Sequence, residues 1–78
     1  MTPDVIKVKV LSDYCLVAEF ETGEQRWFDM KPYLEYPAFS ALKESGLFMK
    51  ASVEHGVIIW NDEIDLSPDT LYLRGRVP

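Results

Sequence analysis

The chain has 78 residues, which suffices for a single domain, residues 1–78, with a small hydrophobic core. Its 47% hydrophobic and 13% aromatic content is typical of a folded chain and excludes the composition of a disordered one. Thirteen acidic against eight basic side chains give a formal charge of -5. Because phosphate backbones attract cationic surfaces, we do not expect direct nucleic acid binding.

Features of the ends and of the cysteine content favour a cytoplasmic protein. Cys15 is the single cysteine and offers no internal disulfide, and the first residues lack the basic and apolar segments of a secretory signal. No run approaches the about 18 apolar residues that a membrane span needs. We therefore expect a cytoplasmic location and no membrane segment.

The first thirty residues predict three antiparallel strands. Apolar residues alternate with lysines in residues 6–10, and the same period of two returns in residues 14–21 and 25–30. Gly23 lies in the second turn, where a positive φ is needed. The pattern is typical of a meander.

The middle of the chain predicts helical structure. Residues 31–34 resemble one helical turn that Asp29 or a neighbour caps. Pro37 then marks a break. Apolar residues at helical spacing predict a helix over residues 38–45, which Gly46 ends as a left-handed cap.

The last third predicts a hairpin and a helix. Residues 51–54 and 57–60 flank Gly56, which suits a tight turn. The four apolar residues 57–60 break the alternation, so we expect both faces of this strand to be covered, one of them by another subunit. Ser67 as a cap and Pro68 at the first position predict a C-terminal helix through residue 73 or 74.

Together these elements predict an α+β fold. We expect one mainly antiparallel sheet of about five strands, in the chain order β-β-β-α-β-β-α, with the middle helix and the short C-terminal helix on one face. Structural roles in turns and caps are predicted for Gly23, Gly46, Gly56, Asp65, Ser67 and Pro68.

An ordered set of short motifs runs along nearly the whole chain. It consists of Tyr14-x-Leu16 with Phe20, Gly23-Glu24, Phe28-Asp29-Met30, Tyr33-Leu34, Phe39 with Leu42, Leu47-Phe48, Gly56 with Trp60, and Asp65-Leu66-x-Pro68 with Leu71-Tyr72. In this set the chain resembles a bacterial family described as domain of unknown function 2442, whose members are free-standing or joined to a helix-turn-helix module. The resemblance implies strands before and after a middle helix and brings no established activity.

The resemblance also carries one departure and one functional hint. Members commonly have a glycine in the turn after the tryptophan, where this chain has Glu63, so we expect Asn61 or Asp62 to supply the unusual φ. Members are often encoded beside another small protein, which implies a regulatory or toxin-antitoxin-like pair.

An acidic corner lies before the C-terminal helix and contains Asp62, Glu63, Asp65 and Asp69. Its start has the spacing of a calcium loop, but Leu66 stands where such a loop needs glycine. We therefore predict no metal and no cofactor. For Asp65 we expect a structural role in which its carboxylate accepts backbone N–H bonds of the loop.

Catalytic readings of the sequence are weak. Cys15 and His55 fall in different predicted hairpins, which separates a thiol from its base. A carboxylate enzyme would need a cleft that gathers Asp29, Asp65 and Tyr33. Lys7 and Lys9 could form a basic patch, although edge-strand lysines more often prevent unwanted strand pairing.

We therefore predict a non-enzymatic protein-interaction or regulatory domain that self-associates or binds a small protein partner. The alternatives are an accessory module of a transcription-regulatory or toxin-antitoxin-like system and, third, a small enzyme with a carboxylate site. The interface candidates are Trp27, Tyr36, Val57, Ile59, Trp60 and Tyr72.

Overall fold

The structure is a computed structural model that describes residues 2–44 and 46–78. It contains six strands, three 3-10 turns and one α-helix in the described residues. The strands are β1 (Val5–Val10), β2 (Cys15–Phe20), β3 (Gln25–Asp29), β4 (Ser52–Glu54), β5 (Val57–Asn61) and β6 (Ile64–Leu66). The 3-10 turns span Lys31–Tyr33, Ser40–Lys43 and Phe48–Lys50, and the helix α1 spans Pro68–Arg74.

The predicted meander is confirmed as the N-terminal sheet, in the order β1-β2-β3 with antiparallel pairing throughout. Inward positions such as Leu16 and Ala18 are fully buried, as the alternation predicted. Lys9, Val17 and Trp27 form a cross-strand row on the opposite, outer face.

The expectation of one sheet with about five strands is wrong, because β4, β5 and β6 form a separate antiparallel sheet. The sequence prediction had no β6. The side chain of Asn61 closes the β5–β6 hairpin by accepting the backbone N–H of Glu63 at 2.8 Å and of Ile64 at 2.9 Å. This Asx turn brings Ile64 and Leu66 back alongside β5.

The backbone of the turn after β5 also differs from the expected one, in which Asn61 or Asp62 had a positive φ. Among the described non-glycine residues, those with positive φ are Asp13, Tyr14 and His55. Asn61 and Asp62 therefore supply no unusual φ. The turn forms without the glycine of the family pattern because an amide side chain satisfies its N–H groups.

The predicted middle helix over residues 38–45 is also wrong, although Ser45 itself lies outside the described residues. The chain there makes i to i+3 hydrogen bonds, such as Leu42 N–H to Phe39 O at 3.0 Å. An isolated helix of eight residues depends on tertiary packing for its stability, and Leu42 is the fully buried residue of the 3-10 turn. Gly46 has φ +83° as expected, but it follows a 3-10 turn.

One hydrophobic cluster fills the space between the two sheets. The N-terminal sheet contributes Phe20 and Phe28, and the C-terminal sheet contributes Ile58 and Trp60. Leu71 of α1 and Leu42 of the irregular segment complete it. The sheets are also joined directly, because Val5 N–H donates to the carbonyl of Gly56 at 3.1 Å.

Helix α1 begins as predicted. The Ser67 hydroxyl accepts the N–H of Thr70 at 3.2 Å, and Pro68 occupies the first turn. The helix buries Leu71 against the core and directs Leu73, which is 74% exposed, to solvent. No helix in residues 2–44 and 46–78 is long and apolar enough to cross a membrane.

Candidate functional site

A groove lies between α1 and the turn that follows β3, and we call it the α1 groove. It has a volume of about 410 Å³ and is lined by Tyr33, Tyr36, Asp69, Thr70, Leu73 and Arg74. Tyr36 and Leu73 are 55% and 74% exposed, which is high for large apolar side chains. Exposed apolar groups that share a concave surface are a typical feature of binding sites.

The aromatic wall of the α1 groove is anchored to the core. The ring of Tyr33 stacks on the buried ring of Phe28 with centroids 5.3 Å apart. On its other side Tyr33 meets Tyr36 edge to face at 5.9 Å. Tyr36 therefore packs against Tyr33, which is itself fixed on the core. This packing reduces the conformational entropy that binding would cost.

The outer face of the N-terminal sheet is cationic, and we call it the basic face. It carries Lys7, Lys9, Cys15, Val17, Glu19, Gln25, Trp27, Asp29 and Arg76, and Asp29 is in an ion pair with Lys31. Trp27 is half-buried, with the guanidinium carbon of Arg76 5.3 Å from its ring centroid. Two backbone hydrogen bonds of 2.7 and 2.8 Å between Trp27 and Arg76 hold the C-terminal segment at the edge of β3.

The outer face of the C-terminal sheet is anionic, and we call it the acidic face. It carries Glu54, Val57, Ile59, Asp62, Glu63 and Asp65 around a shallow depression. Val57 and Ile59 are half-buried at its centre. The ion pairs of the described residues are Arg26–Glu24 and Lys31–Asp29, so these four carboxylates are not in ion pairs within that part of the chain.

Among the predicted interface residues, Trp60 is buried in this structure. It is 6% exposed, and its indole N–H donates to the carbonyl of Phe48 at 3.1 Å, so it belongs to the core. Tyr72 is half-buried against Phe20, under the guanidinium of Arg26, and its hydroxyl donates to Glu24 at 3.0 Å. Those three contacts tie α1 to the N-terminal sheet.

The other interface candidates divide among the three surfaces. Tyr36 lies in the α1 groove, Trp27 on the basic face, and Val57 and Ile59 on the acidic face. Sequence reasoning missed Leu73. The signal was present, since Leu71 and Leu73 lie two residues apart in a helix and cannot both face the core.

Among the residues predicted for turns and caps, the glycines have the expected positive φ, and Asp65 lacks the expected hydrogen bonds to the loop. Gly23 and Gly56 have positive φ, at 90° and 79°. Asp65 is exposed, and the loop it was expected to hold is bonded by Asn61 instead. The side-chain amide of Asn61 thus has the role that the sequence interpretation gave to the carboxylate of Asp65. Asn61 lies two and three residues before the N–H groups of Glu63 and Ile64, which its side chain can reach.

Potential metal ligands and catalytic carboxylates do not cluster in the described part of the chain. In the described part of the chain, no three His, Cys, Asp or Glu side chains are grouped so that they could hold a metal ion. Asp29 and Tyr33 share a small depression beside β3, but Asp65 lies on the acidic face, so the cleft predicted for a carboxylate enzyme is not assembled.

Two carboxylates have perturbed acidity through local hydrogen bonds. The backbone N–H of Lys31 donates to Asp29 at 2.9 Å and, with the Lys31 ammonium, lowers the pKa of Asp29. The hydrogen bond from the Lys31 ammonium to the Asp29 carboxylate, at 3.2 Å, raises the pKa of Lys31. The Thr22 hydroxyl, followed by the Tyr72 hydroxyl, lowers the pKa of Glu24. Both carboxylates are thus held ionised by the fold.

The comparisons with known proteins give one match. A family model described as "Protein of unknown function (DUF2442)" matches residues 5–76, which is nearly the whole chain. Searches of the curated proteins and of the solved structures found no match.

Proposed function

Since the chain belongs to the DUF2442 family, whose description assigns no activity, we propose from the geometry that it is a non-enzymatic protein-interaction domain that self-associates or binds a small protein partner. The observation that carries this proposal is the α1 groove, where the exposed side chains of Tyr36 and Leu73 face a common space. A chain of 78 residues has little apolar area to spare, so apolar side chains left in water favour a contact.

The chemistry of the groove suits a protein side chain. Tyrosine offers a large apolar surface with a polar hydroxyl and loses few rotatable bonds on binding, which is why it is enriched in interface centres. Asp69 and Arg74 lie at the rim and offer one acceptor and one donor group. A partner that inserts an apolar side chain between Tyr36 and Leu73 would satisfy both kinds of contact.

The test compares exposed apolar residues inside and outside the groove. Leu73→Ser and Tyr36→Ser remove groove surface, and Val77→Ser is the matched control, because Val77 is as exposed as Leu73, at 74%. We expect the groove variants to lose self-association in sedimentation experiments at high salt, where contacts between charged faces are screened, or to lose the partner that co-purifies with the wild-type chain. The control should retain both.

Unfolding by urea is measured on all three variants and should change little, since the substituted side chains lie in solvent. A photo-crosslinking residue at position 36 should form a covalent adduct with the same partner or with a second copy. Groove variants that keep the wild-type associations would contradict the proposal.

A further inference from the structure

The basic face and the acidic face have the same arrangement, an apolar centre surrounded by charged side chains, but their charges are opposite. Each has an apolar centre on its middle strand, at positions where strand alternation calls for polar residues: Val17 in β2, and Val57 with Ile59 in β5. The basic face has three cations, Lys7, Lys9 and Arg76, and two carboxylates, Glu19 and Asp29. Asp29 is in an ion pair with Lys31, so a surplus of positive charge remains on this face. The acidic face has four carboxylates and no Lys or Arg among its lining residues.

Most of the charged side chains on both faces are outside the ion pairs of the described residues, although Lys7 lies opposite Glu19 in the β1–β2 pair. Lys7, Lys9 and the four carboxylates take no part in the ion pairs found among residues 2–44 and 46–78. Each face therefore presents a surplus of one charge around an apolar centre, positive on the basic face although the chain as a whole carries -5. A surface that complements the acidic face must offer cations around an apolar group, which is what the basic face offers.

We propose that the occupant of the acidic face is the basic face of a second copy of this chain. Lys7 and Lys9 of one copy would meet the carboxylates of the other, while Trp27 and Val17 pack over Val57 and Ile59. This inference rests on the proposed function, because it names a second copy as one partner. It uses surfaces other than the α1 groove, so groove variants leave it unchanged.

Such a contact is heterologous, because each copy uses a different face. A dimer made this way keeps one free basic face and one free acidic face, so further copies add head to tail until a ring closes. The strands of the acidic face are three, five and three residues long, so at about 3.3 Å per residue and about 4.8 Å between strands they cover only about 170 Å² in projection. This area is well below the about 800 Å² per partner of a standard interface. The association is therefore weak and salt-sensitive, with a dissociation constant of about 0.1 mM.

Charge reversal on each face gives the test. The basic-face variant is Lys7→Glu with Lys9→Glu, and the acidic-face variant is Asp62→Lys with Asp65→Lys. All four side chains are exposed, so both variants should fold, which circular dichroism verifies. Sedimentation velocity is run at low salt on a concentration series up to about 1 mM, which exceeds the expected dissociation constant tenfold.

We expect the mass of the wild type to rise with concentration and to fall back when salt is added. Each variant alone should lose the salt-sensitive association, because in one the former basic face is now negative and repels the acidic face, and in the other two lysines cancel the charges of Glu54 and Glu63. An equimolar mixture should associate again, since the intact acidic face of one variant meets the intact basic face of the other. Recovery on mixing is the signature of two different complementary faces, which a symmetric contact or a groove contact would not give.

Three results would overturn the inference. The first is a wild type that stays monomeric throughout the series, and the second is a mixture that fails to recover. The third is an association that survives both reversals and is lost in Tyr36→Ser; that result would support the proposed function at the α1 groove while removing the face-to-face contact.

Discussion

The indole N–H of Trp60 donates a hydrogen bond to the backbone carbonyl of Phe48 at 3.1 Å, and the two rings stack with centroids 5.9 Å apart. Phe48 begins the last 3-10 turn, so this pair joins the irregular middle segment to β5. Both residues are buried, at 6% and 5% exposure, where a hydrogen bond that loses its donor has no water to replace it.

Trp60→Phe tests this relationship. The substitution removes the donor and leaves the Phe48 carbonyl unpaired in the core, so we expect the free energy of unfolding to fall by about 1–3 kcal/mol. Urea denaturation followed by circular dichroism measures it. Trp27→Phe is the control on a half-buried tryptophan and should cost less. Unchanged stability together with altered association would restore Trp60 to the interface that the sequence suggested.

The elements that the sequence predicted correctly are the ones with strong local signals. The alternation in β1, β2 and β3 has a period of two over five or six residues, and Ser67-Pro68 is a helix start with two independent cues. These features depend on residues close in the chain. The pairing partners of β1, β2 and β3 followed because short turns join them.

The elements that failed depend on distant contacts or on short segments. A three-residue strand such as β6 carries little periodicity, and Asp65 at its centre resembled part of a loop. Residues 57–60 form an unbroken apolar run, so the sequence did not show which face of β5 carries Trp60. Its hydrogen bond to Phe48 spans 12 residues, a distance that no local pattern covers. The α1 groove joins Tyr36 to Leu73, a proximity that no local pattern encodes.

The turn between β5 and β6 should depend on the side chain of Asn61. Asn61→Ala removes the acceptor of two backbone N–H groups, and we expect a loss of about 1–2 kcal/mol in the free energy of unfolding. Asn61→Asp keeps an acceptor oxygen in the same place and should stay close to wild type. Hydrogen exchange at the amide of Ile64 should accelerate in Asn61→Ala alone. Equal behaviour of the two variants would show that the turn forms without this side chain.

Gly56 should tolerate substitution less well than Gly23. Both have positive φ, so Gly23→Ala, which meets nothing within 4 Å, should cost about 1 kcal/mol from backbone strain. A Cβ on Gly56 would also lie 2.6 Å from Cγ of Asp4, next to the hydrogen bond that joins the two sheets. We expect Gly56→Ala to cost at least about 1 kcal/mol more, by the same denaturation measurement. Equal losses would mean that the Asp4 segment moves aside freely.

The acid dependence of stability should report on Asp29. Its folded pKa is lowered, first by the backbone N–H of Lys31 and then by the Lys31 ammonium, so its ionised form stabilises the fold. That contribution is complete above the unfolded pKa of about 3.9 and disappears as the pH falls through the folded pKa. We therefore expect the free energy of unfolding to decrease in acid below about pH 4.

Two variants separate the causes of this dependence. Asp29→Asn keeps an oxygen that accepts the Lys31 N–H but cannot titrate, so urea denaturation at a series of pH values should show a shallower acid slope. Lys31→Met removes the ammonium and keeps the backbone N–H, which is the larger cause, so most of the slope should remain. A Lys31→Met slope as shallow as that of Asp29→Asn would assign the stabilisation to the ion pair, and an unchanged Asp29→Asn slope would remove Asp29 from the acid response altogether.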